Sequence, residues 1–184
     1  MTDNPYAAIK IHGFRMLLVA RLLVTIATQA QGVAVGWQIY ALTKDPLFLG
    51  FIGLAEVVPS IGIALYAGHL ADVIERRKIA LFSIGSFMIC LILLGISSAF
   101  MTIKELLIGS IFFVIALTGL ARGFYGPAVF GMLADAVPER LYGNATAWNT
   151  AIWQISAIAG PVLGGFGYVF CGAPFTYLAC ALLL

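Results

Sequence analysis

The sequence predicts an all-α membrane protein, a polytopic helical bundle of six transmembrane helices with the sixth truncated. Three observations predict it. Of 184 residues, 62% are hydrophobic and 10% charged, whereas a soluble domain carries about 25% charged residues. The mean hydropathy of +1.04 is an apolar excess too large for one soluble core to hide. The apolar residues also gather in runs of about twenty, the length that crosses a bilayer, with short polar turns between them.

The first run extends from about Phe14 to Leu42 and ends at the polar turn Thr43-Lys44-Asp45-Pro46. Lys10 and Arg15 ahead of an apolar run superficially match a secretory leader. Arg21 and Gln29 interrupt that run and more spans follow, so a retained first helix is expected. The second run covers about Leu47 to Ala67. The segment Gly68–Lys78 then packs six ionisable side chains, His69 included, into eleven residues, and reads as a charged hairpin tip at a membrane surface. The third run covers about Ile79 to Phe100. The turn Met101–Glu105 leads to the fourth, from about Leu106 to Leu133, and Asp135–Arg140 is the next polar connection. The fifth covers about Ala145 to Phe170. Cys171-Gly172-Ala173-Pro174 is a tight turn, and the sixth run begins near Phe175 and stops at Leu184. From Pro174 to Leu184 the chain covers roughly 16 Å as helix, short of a ~30 Å hydrocarbon core. Residues 1–184 therefore read as one transmembrane domain and as a fragment of something longer.

The cations fix an expected orientation. With the N-terminus in the cytoplasm, the inner side holds Lys10, Arg15, Arg76, Arg77, Lys78 and Arg140, with Arg21 close by, and the outer side holds Lys44 and Lys104. That bias follows the positive-inside rule for short loops. The 20 glycines, many of them inside apolar runs, suit helices that approach closely in a membrane. Cys90, Cys171 and Cys180 lie in or beside apolar stretches without metal-ligand spacing and read as packing residues. No metal site or cofactor motif is recognisable. Nothing resembles a basic nucleic-acid patch, and no nucleophile–base pair, zinc cluster or phosphate-cradling loop appears, which leaves an enzyme reading without support. His12 and His69 read as solvated.

Charges inside hydrocarbon are expensive and therefore informative. Glu56 lies mid-run, three residues before Pro59, which removes a backbone donor. A carboxyl group there can take up and release protons, or can be a structural group bonded to a neighbouring helix. Arg122, in Ala121-Arg122-Gly123-Phe124-Tyr125-Gly126, stays charged and must face a cavity, an acid or carbonyl groups. It can serve coupling or substrate binding, or a structural ion pair. Arg21, ~10 Å into the first run, is expected to snorkel to the interface, and Asp135 and Glu139 to pair with it or with Arg140. Thr25, Thr28 and Gln29 share one face of the first helix by their spacing, and Asn149, Trp153 and Ser156 share one face of the fifth. Each face can line a water-filled path or hydrogen-bond between helices. Gln31 and Gln38 add to the polar inventory of the first run. Trp37 and Tyr40 read as interfacial aromatics.

The hairpin resembles the loop between helices two and three of the major facilitator superfamily, Gly-x-x-x-Asp-Arg/Lys-x-Gly-Arg/Lys-Arg/Lys. Gly68, Asp72, Arg76 and Arg77 match. Val73 stands where the family has a basic residue, and Glu75 where it has glycine. Arg122 with Gly126 fits the family's fourth-helix Arg-x-x-x-Gly. Gly160-Pro161-Val162-Leu163-Gly164-Gly165 fits the end of the fifth-helix motif of exporters and antiporters, with Ala147 and Ser156 in place of its earlier glycines. The stretch from Val35 to Lys78 looks most like the enterobactin-exporter-like and drug-efflux branch. The resemblance implies an N-terminal half of a twelve-helix transporter, made of two inverted three-helix repeats, in the plasma membrane (the inner membrane of a bacterium). It implies a proton-coupled exporter of small amphipathic molecules, of drug or siderophore type, working by alternating access. Its partners would be membrane lipid, the small-molecule substrate, protons and a C-terminal six-helix half, with no nucleic acid. Glu56, Arg122, Gln29, Asn149 and Trp153 are the coupling and substrate candidates. Gly68, Asp72, Arg76, Arg77 and Lys78 form the expected latch, with Asp72 facing a helix N-terminus of the other half or Arg76. The alternatives are a non-transporting membrane fragment or scaffold, or an importer of small metabolites.

Overall fold

The computed structural model describes residues 6–184, and of Ala71 and Asp72 only the backbone. Among the described residues there are five long helices and no strand: α1 His12–Thr43, α2 Leu47–Val73, α3 Arg76–Phe100, α4 Lys104–Asp135 and α5 Tyr142–Leu182. A single 3-10 turn, Glu139–Leu141, precedes α5. All five helices are long and apolar enough to cross a membrane.

The ends of the helices follow from local chemistry. α1 stops where Lys44 turns left-handed, at φ 58°, and donates its N–H back to the Tyr40 carbonyl. Asp45 Oδ1 then accepts from the Leu47 N–H at 2.9 Å, satisfying a donor that the first turn of α2 leaves open. Pro46, with its fixed φ, opens α2 without needing a donor. The hairpin between α2 and α3 is tighter than the sequence suggests. α2 continues through Gly68 and the Asp72 backbone to Val73, and α3 begins at Arg76, so only Ile74 and Glu75 connect them. Charged residues therefore extend the two helices past the apolar limit instead of forming a loop.

α5 is not one rod. Gly172 has φ 78° and ψ 171°, a backbone state open to glycine and costly for other residues. It divides the element into residues 142–171 and 173–182. A Cβ at Gly167 would lie 3.1 Å from Thr176 Cγ2. In a continuous helix those positions would be about 13.5 Å apart along the axis. The chain therefore folds back at Gly172, within the turn read from Cys171 to Pro174, and Pro174 follows where its missing donor matters least. The returning segment packs on α3: a Cβ at Gly95 would meet Leu178 Cγ at 3.3 Å.

α1 packs chiefly along α5, α2 along α4, and α3 against both α4 and α5. The first two pairings rest on small residues. Gly119 and Gly123 of α4 face the Glu56 carbonyl and the Ser60 carbonyl of α2. Gly160 and Gly164 of α5 face the Ile26 and Ala30 carbonyls of α1. Apolar lipid gives helices little reason to associate, so close backbone packing of this kind supplies much of the attraction. A core of Val35, Ile39, Leu91, Leu94 and Ile111 fills the bundle end where α1 finishes, with Tyr177 fully buried among them. Gln38 clamps that end: its Nε2 donates to Ser98 Oγ at 2.8 Å, and Tyr177 Oη donates to its Oε1 at 2.7 Å. Outward faces are apolar, Leu65 of α2 and Phe100 of α3 among them, as a lipid-facing surface must be.

Candidate substrate and coupling site

Glu56 and Arg122 meet at the interface of α2 and α4. Arg122 Nη1 donates to Glu56 Oε1 at 2.9 Å. The contact depends on glycine. A Cβ on Gly119 would run into the Glu56 carbonyl, so its absence lets α4 come close enough for Arg122, three residues on, to reach the carboxylate. Pro59 lies one turn beyond Glu56 inside α2. Of the surroundings open to Arg122 from sequence, it has two at once, an acid on one side and a cavity on the other.

The cavity has a volume of about 250 Å³. Arg21, Thr25, Thr28 and Gln29 of α1 line it on one side. Arg122 and Tyr125 of α4 face them, and Phe87 of α3 and Trp153 of α5 close it. Gln29, Arg122 and Trp153 are thus brought to one space, with Glu56 attached through its ion pair. Phe87 and Tyr125 stack edge to face, centroids 5.8 Å apart, which holds the phenol at the wall. Asn149 is not in this cavity. It lines a neighbouring one of about 180 Å³, on the other side of Phe130, with Tyr142 and Thr146. There its Oδ1 is buried and, among the described residues, lacks a hydrogen-bond partner. The two polar faces read from sequence therefore divide their roles. Thr25, Thr28, Gln29 and Trp153 face the cavity. Gln31 donates to Thr118 at 3.4 Å, Gln38 bonds across to α3 and α5, and Ser156 donates to the Ile152 carbonyl beside α1. Trp37 and Tyr40 are exposed near the end of α1.

Arg21 lies on the cavity wall. Its guanidinium carbon sits 5.2 Å from the centre of the Phe130 ring. It does not pair with Asp135 or Glu139. Asp135 instead accepts from Arg76 Nη1 at 2.8 Å, because α3 starts against the last turn of α4. There Gly131 leaves room: a Cβ at that position would sit 2.6 Å from Arg76 Cδ. Lys78 pairs locally with Glu75 at 3.0 Å, so the acid standing in the family's glycine position takes up one of the three cations. Arg77 is exposed. Gly68 lies in helix with open space at its Cβ position. The side chain of Asp72 lies outside the described residues, so its expected pairing with Arg76 is not part of this geometry.

In the fifth-helix motif, Gly160, Gly164 and Gly165 all face α1: a Cβ on Gly160 would meet Gln29 Cβ at 2.5 Å, and one on Gly165 would lie 4.0 Å from Val33 Cγ1. Pro161 is a helix-interior proline between them. Among the described residues no group of three His, Cys, Asp or Glu side chains could hold a metal. Arg21 and Tyr125 were missed as site residues. Tyr125 could have been found by spacing, since it lies one turn after Arg122 and shares its face. The acceptor of Arg76 had no local signal, being 59 residues away.

Comparison with known proteins points to membrane transporters. The sequence profile of a family described as "Transmembrane secretion effector" matches residues 3–183. The chain is 23% identical over 151 residues, 82% of its own length and 37% of the relative's, to the Staphyloferrin A transporter of Staphylococcus aureus. It is 28% identical over 104 residues to an MFS-type transporter of Mycobacterium tuberculosis, covering 56% of this chain and 14% of that one. It is 29% identical over 103 residues to Multidrug resistance protein 3 of Bacillus subtilis, covering 56% and 18%. The chain thus spans well under half the length of the curated relatives it matches. No solved structure matches significantly.

Proposed function

The chain belongs to the major facilitator superfamily of membrane transporters, and from that premise we propose that it is part of a proton-coupled secondary exporter of small molecules. The observation that carries the proposal is the Glu56–Arg122 pair at 2.9 Å, whose Arg122 lines a cavity together with Arg21, Gln29 and Trp153. An acid paired with a cation beside such a cavity has two states. Ionised, it holds α2 to α4. Protonated, it releases the guanidinium. A proton arriving from one side and leaving to the other can thus bias which way the cavity opens.

Two further features support alternating access in a twelve-helix protein. The strongest helix pairings, α1 with α5 and α2 with α4, exchange with each other if helices one, two and three are swapped with four, five and six. That is the pattern expected of inverted repeats. The Arg76–Asp135 bridge ties the hairpin to α4 beside an open groove of about 490 Å³, where a second half can dock. In this reading the hairpin is cytoplasmic, the N-terminus lies inside, and the membrane is a bacterial inner membrane. Export is favoured by the small-residue stripe Ser156, Gly160, Gly164 along α1.

The test is gradient-driven accumulation of a substrate panel in everted vesicles that carry the intact protein. Glu56→Gln is expected to abolish dependence on the pH gradient. Accumulation that still follows the gradient would remove Glu56 as the coupling acid. In the same assay Asp72→Asn is expected to slow transport several-fold, and unchanged transport would sink the latch.

A further inference from the structure

Building on the transporter reading above, we propose that the substrate carries an anionic group, a carboxylate, and that Arg21 is the residue that anchors it. Among the described residues the formal charges in and beside the cavity are Arg21, Arg122 and Glu56, one cation in excess. Arg122 spends its charge on Glu56. Arg21 has no such partner: among the described residues no carboxylate lies within 4.0 Å of it, and its Nε is buried without a hydrogen-bond acceptor. The Phe130 ring at 5.2 Å meets part of the charge through its face but offers no acceptor for the N–H groups. A guanidinium cannot shed its proton in a protein. An unanswered cation in apolar surroundings is costly to keep, and one facing a cavity of about 250 Å³ has room for a counter-ion of several atoms.

The surroundings favour an organic anion over a bare ion. The planar fork of Arg21 matches a carboxylate in two parallel hydrogen bonds. Hydroxyl and amide donors of Thr25, Gln29 and Tyr125 share the wall with it. Trp153, 45% exposed, presents a broad apolar surface on which the body of such a molecule can lie. The arrangement selects a molecule with one acidic end and one flat or apolar end.

Three probes of nearly one shape separate charge from hydrophobicity: 2-naphthoate, 2-naphthylmethanol and 2-naphthylmethylammonium. Each is titrated calorimetrically into the intact protein in detergent at neutral pH. Naphthoate is expected to bind about tenfold or more tighter than the ammonium probe, the scale of one charge-assisted bidentate contact. Arg21→Gln should erase that preference, bringing naphthoate down towards the neutral alcohol, and Arg21→Lys should keep most of it. Trp153→Ala should weaken all three alike. If the wild-type protein binds the ammonium probe as well as naphthoate, or if Arg21→Gln keeps the preference, the proposal is overturned. The wild-type comparison needs no variant to fold. Because binding is read without a gradient, failure here leaves proton coupling untouched, and failure of coupling in vesicles leaves the charge preference standing.

Discussion

Glu56 and Arg122 stabilise each other more than either stabilises the bundle. Removing one partner leaves the other charge without an answer in apolar surroundings, which costs about 3–5 kcal/mol when burial is complete. Here the side chains are 23% and 41% exposed, so about 1–3 kcal/mol is expected for Glu56→Gln or Arg122→Gln. The double variant should lose less than the sum of the two, measured by thermal unfolding in detergent, and strict additivity would show that the pair is not coupled. Both residues were legible as charges inside apolar runs, because hydropathy alone marks them. Their partnership was not legible, since 66 positions separate them and nothing local encodes the approach of α2 to α4. Arg21 illustrates a different limit. Its depth along the first helix is compatible with snorkelling, and only its rotation about the helix axis, set by packing on α4 and α5, turns it to Phe130 and the cavity.

Glycine decides how closely the helices approach. Gly119 and Gly109 lie on one helix, yet their surroundings are opposite. A Cβ on Gly119 would collide with the backbone of Glu56, while one on Gly109 would meet nothing within 4 Å. Gly119→Ala should therefore force α2 and α4 apart and cost about 1–3 kcal/mol. It should also weaken the Glu56–Arg122 contact, read as a loss of transport beyond the loss of stability. Gly109→Ala should be neutral or gain up to about 1 kcal/mol of helix propensity. Equal melting temperatures for the two variants would refute the assignment of Gly119 to the contact. The helices themselves were readable from apolar runs and polar punctuation, and the fold-back at Gly172 from Cys171-Gly172-Ala173-Pro174. The hairpin length was not. The hydropathy limit falls near Ala67, but backbone hydrogen bonding continues to Val73, because charged residues form helix readily once their side chains reach the membrane surface.

Across the whole molecule the cations sort to one end. The start of α1, the α2–α3 connection and the α4–α5 connection lie together, as antiparallel packing requires. They carry Arg15, Arg76, Arg77, Lys78 and Arg140. The opposite end carries Lys44 and Lys104. Arg76 and Lys78 are paired with acids, but the rule of orientation counts cations and largely ignores acids, so pairing does not weaken the bias. The expected topology places Arg77 and Arg140 inside and Lys104 outside. Cysteine labelling on intact cells checks it, with Cys90, Cys171 and Cys180 first replaced by alanine because Cys171 is exposed. Lys104→Cys serves for the outer end because Lys104 is exposed at the first residue of α4. An impermeant maleimide should label Lys104→Cys directly, and Arg77→Cys and Arg140→Cys only after the cells are permeabilised. Labelling of Arg77→Cys from outside would invert the bundle. That result would also place the Arg76–Asp135 bridge on the outer surface, where a cytoplasmic latch cannot work.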